Sequence, residues 1–179
     1  MFDGMTLEQR AKKLEAFETD QWAADAIMEV ELFTPFVVDP CVGTGMLARS
    51  ARAAGYSVLT NDIFDWSKVL DCDPPDHIGD WLNRFEPIAP FIEGRKGKWA
   101  AYMNPPFQTA CEFVDRAFDL GARKVVCFQR WAWRESDERA DWWRLNPPAR
   151  IWLCIDRASC YRFDIPHTCA APDPASCPN

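Results

Sequence analysis

Short apolar runs along this chain end in polar punctuation, and the spacing of that punctuation separates strands from helices. Phe36-Val37-Val38 runs into Asp39-Pro40, Ser57-Val58-Leu59 into Thr60-Asn61-Asp62, and Trp99-Ala100-Ala101-Tyr102-Met103 into Asn104-Pro105-Pro106. Bounded runs of this kind read as buried strands. The same reading covers Lys124 to Gln129 and Arg150 to Ile155. Helices are predicted between them. Residues 6–17 open with a Thr6/Gln9 capping box, and a second helix runs to about Phe33, its Trp22, Ala23, Ile27, Val30 and Leu32 following the helical repeat loosely. Further helices run from Met46 to Ala54, closed by Gly55, from Thr109 to Leu120, and from about Glu135 to Trp143. Residues 63–80 read as a loop that closes on His77-Ile78-Gly79-Asp80-Trp81.

Composition narrows the class. With 179 residues, 48% hydrophobic and 13% aromatic, the chain reads as one globular domain with a full core. No apolar stretch approaches the ~20 residues of a membrane span, and Met1-Phe2-Asp3-Gly4 lacks the start of a secretory signal, so a cytoplasmic protein is expected. Of eight cysteines, Cys41, Cys72, Cys111, Cys127 and Cys154 are scattered with no CxxC pair, which favours free thiols. Cys160, His167, Cys169 and Cys177 could ligate zinc, but their spacing matches no finger and no metal is assigned. The net charge of −7 argues against a nonspecific nucleic-acid coat. Its distribution is uneven: residues 1–94 hold 17 Asp/Glu against 7 Lys/Arg, and residues 95–179 hold 10 against 13. A polyanion should therefore approach the second half.

The most informative punctuation is Asn104-Pro105-Pro106-Phe107. Two prolines offer no backbone N–H and end the strand, and proline keeps the preceding Asn104 extended at its carboxyl tip. In open α/β sheets the ligand crevice lies outside those tips. The Asn104 side-chain oxygen and the Pro105 carbonyl can both accept from an amino group, and Phe107 can stack on the ring that carries it. The other double prolines, Asp73-Pro74-Pro75-Asp76 and Asn146-Pro147-Pro148-Ala149, follow no strand-like run, end in no aromatic residue and read as turns.

A second motif precedes it. Asp39-Pro40-Cys41-Val42-Gly43-Thr44-Gly45 joins a strand to a helix, and the next strand ends at Asp62. Strand, glycine turn, helix, strand and terminal acid make a nucleoside-binding βαβ half, with a carboxylate placed to accept both ribose hydroxyls.

Together these stretches resemble an S-adenosylmethionine-dependent amino-methyltransferase, most closely the small phage-type DNA adenine-N6 methyltransferases. The resemblance covers about residues 17–162. Asp39 to Gly45 resembles the family's DPxxGxG methionine-binding loop, Asp62 falls at its ribose-binding acid, and Asp80 in Gly79-Asp80-Trp81 resembles the acid facing the cofactor's adenine. Asn104-Pro105-Pro106-Phe107 resembles the catalytic motif, and Thr19-Asp20-Gln21-Trp22 resembles the N-terminal cofactor lid, which makes Trp22 a cofactor candidate. Phe128 to Ser136, Pro147 to Trp152 and Asp156 to Ser159 resemble the segment that follows the catalytic motif in phage relatives. The resemblance implies a Rossmann-like class I methyltransferase fold: an α/β domain with a mostly parallel central sheet, one antiparallel edge strand and helices on both faces. Helices would fill residues 1–33, the catalytic core 34–162 and an irregular tail 163–179.

It also implies methyl transfer to adenine N6 in DNA. The enzyme's share is alignment of donor and acceptor, with Asn104, Pro105, Pro106 and Phe107 at the amine. A base inside a duplex must be flipped out for this chemistry, and Phe107 would stack on it. Arg95, Lys96, Lys98, Arg130 and Arg134, with Arg139 and Arg144, are candidates for phosphate contacts, and Trp131 and Trp133 for stacking or for core. There is no room for a target-recognition domain. Other acceptors share such sites, notably RNA (guanine N2 or adenine N6) and a protein glutamine amide. A nucleic-acid-binding or regulatory module on the same fold would lack turnover. A nicotinamide oxidoreductase would fit the glycine turn but leave Asn104 to Phe107 unexplained.

Overall fold

A computed structural model describes residues 4–83, 89–156, 158 and 161–164. Five strands, β1 (Phe36–Asp39), β2 (Ser57–Asp62), β3 (His77–Ile78), β4 (Trp99–Met103) and β5 (Lys124–Cys127), form one sheet in the order β3-β2-β1-β4-β5. Every pairing is parallel. The helices are α1 (Leu7–Lys13), α2 (Gln21–Val30), α3 (Met46–Ala53), α4 (Ala89–Ile92), α5 (Ala110–Asp119) and α6 (Ala140–Leu145). This is the α/β Rossmann-like arrangement.

The central strand explains the layering. All five residues of β4 are buried, as a strand covered on both faces requires. Trp99, Ala101 and Met103 pack with Val38 against Phe113 and Ala117 of α5, joined by Trp81 and Ile92. Tyr102 faces the other way, with Val37, onto Ala24 of α2 and Leu47 and Ala51 of α3. Its hydroxyl donates to the Ala24 carbonyl at 2.9 Å, which satisfies the one polar atom this face buries there.

The capping box forms as read: Thr6 accepts from the Gln9 amide at 3.2 Å and Gln9 accepts from the Thr6 amide at 2.9 Å. The helix stops at Lys13, four residues early, and Glu15 takes a left-handed φ of 47° that turns residues 14–19 out of it. Two further readings need correction. His77–Ile78 is a strand, a two-residue pairing with Asn61 and Asp62 too short to leave a periodic signal. Residues 135–143 are not one helix: 3₁₀ turns at Trp131–Trp133 and Asp137–Arg139 precede α6.

The largest departure is Arg150 to Ile155, which forms no strand, so the described sheet has no antiparallel edge. Side chains hold this segment instead. Glu31, just past α2 and only 6% exposed, accepts from Arg150 Nε at 2.6 Å and Arg150 Nη2 at 2.8 Å. Lys124 Nζ at 2.7 Å and Trp152 Nε1 at 2.8 Å complete the set. Four charge-assisted or polar bonds on one carboxylate replace a backbone ladder. Ile151, Leu153 and Ile155 remain exposed. The tail beyond Asp164 and the Cys160, His167, Cys169 and Cys177 set lie outside the described residues. Among the described residues no helix is long and apolar enough to cross a membrane.

The Arg150 guanidinium, with Lys124 and Trp152, holds the Glu31 carboxyl well below its ordinary 4.5. A depressed folded-state value gives stability that is present above the ordinary range and lost as pH falls below it. Glu31→Ala is expected to lower the unfolding midpoint by roughly 4–8 °C at pH 7, about 2 kcal/mol. Thermal melts of both proteins from pH 7 to pH 3 should show that gap closing only below about pH 4.5.

Candidate functional site at the carboxyl edge of the sheet

β1 and β4 are neighbours whose chains leave in opposite directions, β1 through α3 to β2 and β4 through α5 to β5. Such a switch point opens a crevice beyond the strand tips. Here the loops after β1, β2, β3 and β4 line one cavity of about 590 Å³. Pro40, Gly43 and Thr44 come from the first loop, Asp62, Ile63 and Trp66 from the second, Gly79 to Leu82 from the third, and Asn104, Pro106 and Gln108 from the fourth.

The loops are braced from beneath. Asn61, 1% exposed, donates both amide hydrogens, to the Pro40 carbonyl at 3.1 Å and the Gly79 carbonyl at 3.0 Å. Its own carbonyl accepts from the Val42 amide at 3.0 Å. Asp62 accepts from the Gly43 amide at 2.9 Å and the Phe64 amide at 3.1 Å. Burial pushes its carboxyl up to about 6, against the lowering effect of those amides. Asp39 lies deeper, accepting from the Cys41 amide at 3.3 Å, with its other oxygen buried and unpaired. Burial, aided by the Asp62 charge, raises it to about 8. Burial also pushes the Cys41 thiol upward, so it is no ready nucleophile. Gly45 takes a φ of 89° to cap α3, a conformation that favours glycine.

Across the crevice, the fourth loop is held just as closely. Asn104 Nδ2 donates to Thr19 Oγ1 at 2.9 Å. Pro105 is fully buried, and its carbonyl accepts from Gln129 Nε2 at 2.9 Å. The Phe107 ring lies 5.2 Å from Phe17 and carries the Arg130 guanidinium at 4.1 Å.

Over the opening runs a strap of two chain segments. Phe17 and Arg162 form an antiparallel bridge, the Glu18 amide donates to the Tyr161 carbonyl at 2.8 Å, and the Phe163 amide to the Ala16 carbonyl at 3.1 Å. The strap touches both motifs: Glu18 accepts from the Thr44 hydroxyl at 3.1 Å, and Glu15 accepts from the Gln108 amide at 3.1 Å. Phe163 stands edge-on to Trp66 at 4.8 Å and lies over Gly43, where an added Cβ would sit only 2.7 Å from its ring.

Of the residues singled out from sequence, Pro40, Gly43, Asp62, Asp80, Asn104 and Pro106 line this cavity. Asp39, Gly45, Pro105 and Phe107 lie behind or beside it in the roles just given. Trp22 does not join them: it sits in the first turn of α2, 43% exposed, while Thr19 from the same motif reaches the cavity. Arg95, Lys96 and Lys98 precede β4 and so lie at the opposite, amino-terminal edge of the sheet. Arg95 there stacks over Phe36 and Phe91 at 4.9 and 4.7 Å. Arg130 is near the fourth loop, and Arg134 stacks on Trp143 at 5.0 Å. Sequence reading passed over Asn61, Gln129 and Phe163. Among the described residues no three His, Cys, Asp or Glu side chains gather as a metal site.

No protein-family model, curated protein or solved structure matches the chain.

A raised Asp39 value means the folded protein keeps a proton that the unfolded chain releases between about pH 4 and pH 8, so stability falls as pH rises through that window. Asp39→Asn, which is neutral throughout, should flatten that slope and melt higher than the parent protein at pH 8. Paired melts at pH 5 and pH 8 measure it.

Proposed function

We propose that this chain is an S-adenosylmethionine-dependent methyltransferase acting on the exocyclic N6 amine of adenine in DNA. One observation carries the reading: the Asn104 amide opens into the same cavity as the Gly43 turn, Asp62 and Asp80. A donor pocket and an amine-accepting group thus share one enclosure.

The lining fits the cofactor. Asp62 lines the cavity and would accept from ribose hydroxyls, Asp80 would face the adenine, and the Pro40–Thr44 turn would pass the methionine portion. Bound there, the cofactor would supply an electrophilic methyl group to the amine nitrogen, its sulfonium becoming a neutral thioether, with the proton lost from the methylated amine passing to solvent. The protein's own work is orientation. Asn104 Oδ1 would accept an N6–H bond and favour the charge that develops on nitrogen, while Pro105, buried behind it and bonded to Gln129, holds the backbone in place. Held this way, the acceptor needs no general base from a Ser/His/Asp set.

Phe107 would offer the base a stacking surface, and the Arg130 guanidinium lies 4.1 Å from its ring. Arg130 and the exposed Trp131 beside it form the cationic aromatic rim nearest the fourth loop, a match for an extruded nucleotide and its phosphates.

The test incubates the protein with labelled cofactor and, in parallel, DNA, RNA and a protein extract, followed by mass spectrometry of nucleosides and amino acids. N6-methyladenine in DNA is the expected product. Asn104→Ala should reduce it by at least about 100-fold while the melting temperature stays near the parent value. Label in guanine or glutamine instead would move the acceptor to RNA or protein, and label in none of them would overturn the reading.

A further inference from the structure

We infer that Thr19 is a positioning residue that anchors the Asn104 amide at the cavity, an inference that rests on the methyl-transfer reading above. The catalytic motif has little freedom elsewhere. Pro105 holds the backbone, and its carbonyl is tied to Gln129 Nε2 at 2.9 Å. What remains is rotation of the Asn104 amide about its last torsion, which is broad and roughly two-fold. One orientation turns an oxygen toward the cavity and can accept from an amine. The other turns an NH2 toward an NH2, two donors face to face, and no bond forms.

Thr19 anchors the amide. Its hydroxyl oxygen accepts from Asn104 Nδ2 at 2.9 Å, so the donor end is held and the oxygen is left for substrate. Thr19 is 4% exposed, a burial that limits water's access to the bond. Thr19 is itself fixed by the strap: the adjoining Glu18 is bonded through its amide to Tyr161 and through its carboxylate to Thr44. The acceptor group is therefore oriented by a segment that also touches the donor loop.

Thr19→Val keeps the shape and removes the hydroxyl, and Thr19→Ser restores it. In ¹⁵N-labelled protein, the Asn104 side-chain NH2 pair is identified as the one missing from Asn104→Asp. Its hydrogen exchange should be slow in the parent and in Thr19→Ser, and faster by about tenfold or more in Thr19→Val. In the methylation assay Thr19→Val should lose about 10–100-fold in kcat, with cofactor affinity by titration unchanged, and Thr19→Ser should recover most of the rate. Unchanged Asn104 exchange in Thr19→Val overturns the inference. So does a rate loss matched by an equal loss of cofactor affinity, which would make Thr19 a cofactor ligand. If the parent protein methylates nothing, the functional reading fails, and the exchange measurement still decides whether Thr19 holds the amide.

Discussion

The parallel pairing of β1 with β4 is the constraint on which the candidate site depends. Phe36, Val37 and Val38 pair in register with Trp99, Ala100 and Ala101, so the two chains emerge at the same level of the sheet. One of them emerges as the glycine turn and the other as Asn104. A one-residue slip would exchange the faces of β4, exposing Trp99 and Met103 to the α2–α3 side and Tyr102 to α5. Both faces are fully buried, and they differ in size and polarity, so the register is strongly specified. The site inherits that precision.

On this frame the polar braces decide where the loops go. Asn61 reaches the loops after β1 and β3 at once, and Asp62 fastens the glycine turn by its Gly43 amide. Each buried bond of this kind contributes only about 1 kcal/mol net, but leaving such a group unpaired costs more, so the arrangement resists alternatives. Asp39 is the exception, with one oxygen buried and unpaired. Burial raises its value to about 8, and at neutral pH a proton removes the charge that the interior cannot solvate.

How much of this could be read from the chain depends on whether a feature is local. The strands that end at Asp39, Asp62 and Met103, and the loops that follow them, were legible because apolar runs and proline or glycine punctuation act over a few residues. The meeting of Asn104 with Gly43 followed from the switch-point rule once the sheet was parallel. Contacts made across the chain were not legible. Glu31 meets Arg150 at a separation of 119 residues, and nothing in Arg150-Ile151-Trp152-Leu153-Cys154-Ile155 announces that one distant carboxylate would hold it out of the sheet. Asn61 gave no signal because an asparagine in a strand is equally compatible with an exposed edge. Arg95, Lys96 and Lys98 were misleading for a related reason: charge counted along the sequence says nothing of which end of a strand it occupies, and theirs is the end away from the cavity.

The strap joins these levels. The two chain segments meet through the Phe17–Arg162 bridge, where neither alone has a helix or strand to stabilise it. Glu15 binds Gln108 in the loop after β4, Glu18 binds Thr44 in the glycine loop, and Phe163 rests on both Trp66 and Gly43. Ring contacts, Phe17 with Phe107 and Phe163 with Trp66, seat the strap on the loops it spans. Phe163 leaves no room for a Cβ at position 43, so the glycine there lets the strap seat as closely as it does. The fixing of Asn104 by Thr19 is thus an extension of the same strap that rests on the glycine turn.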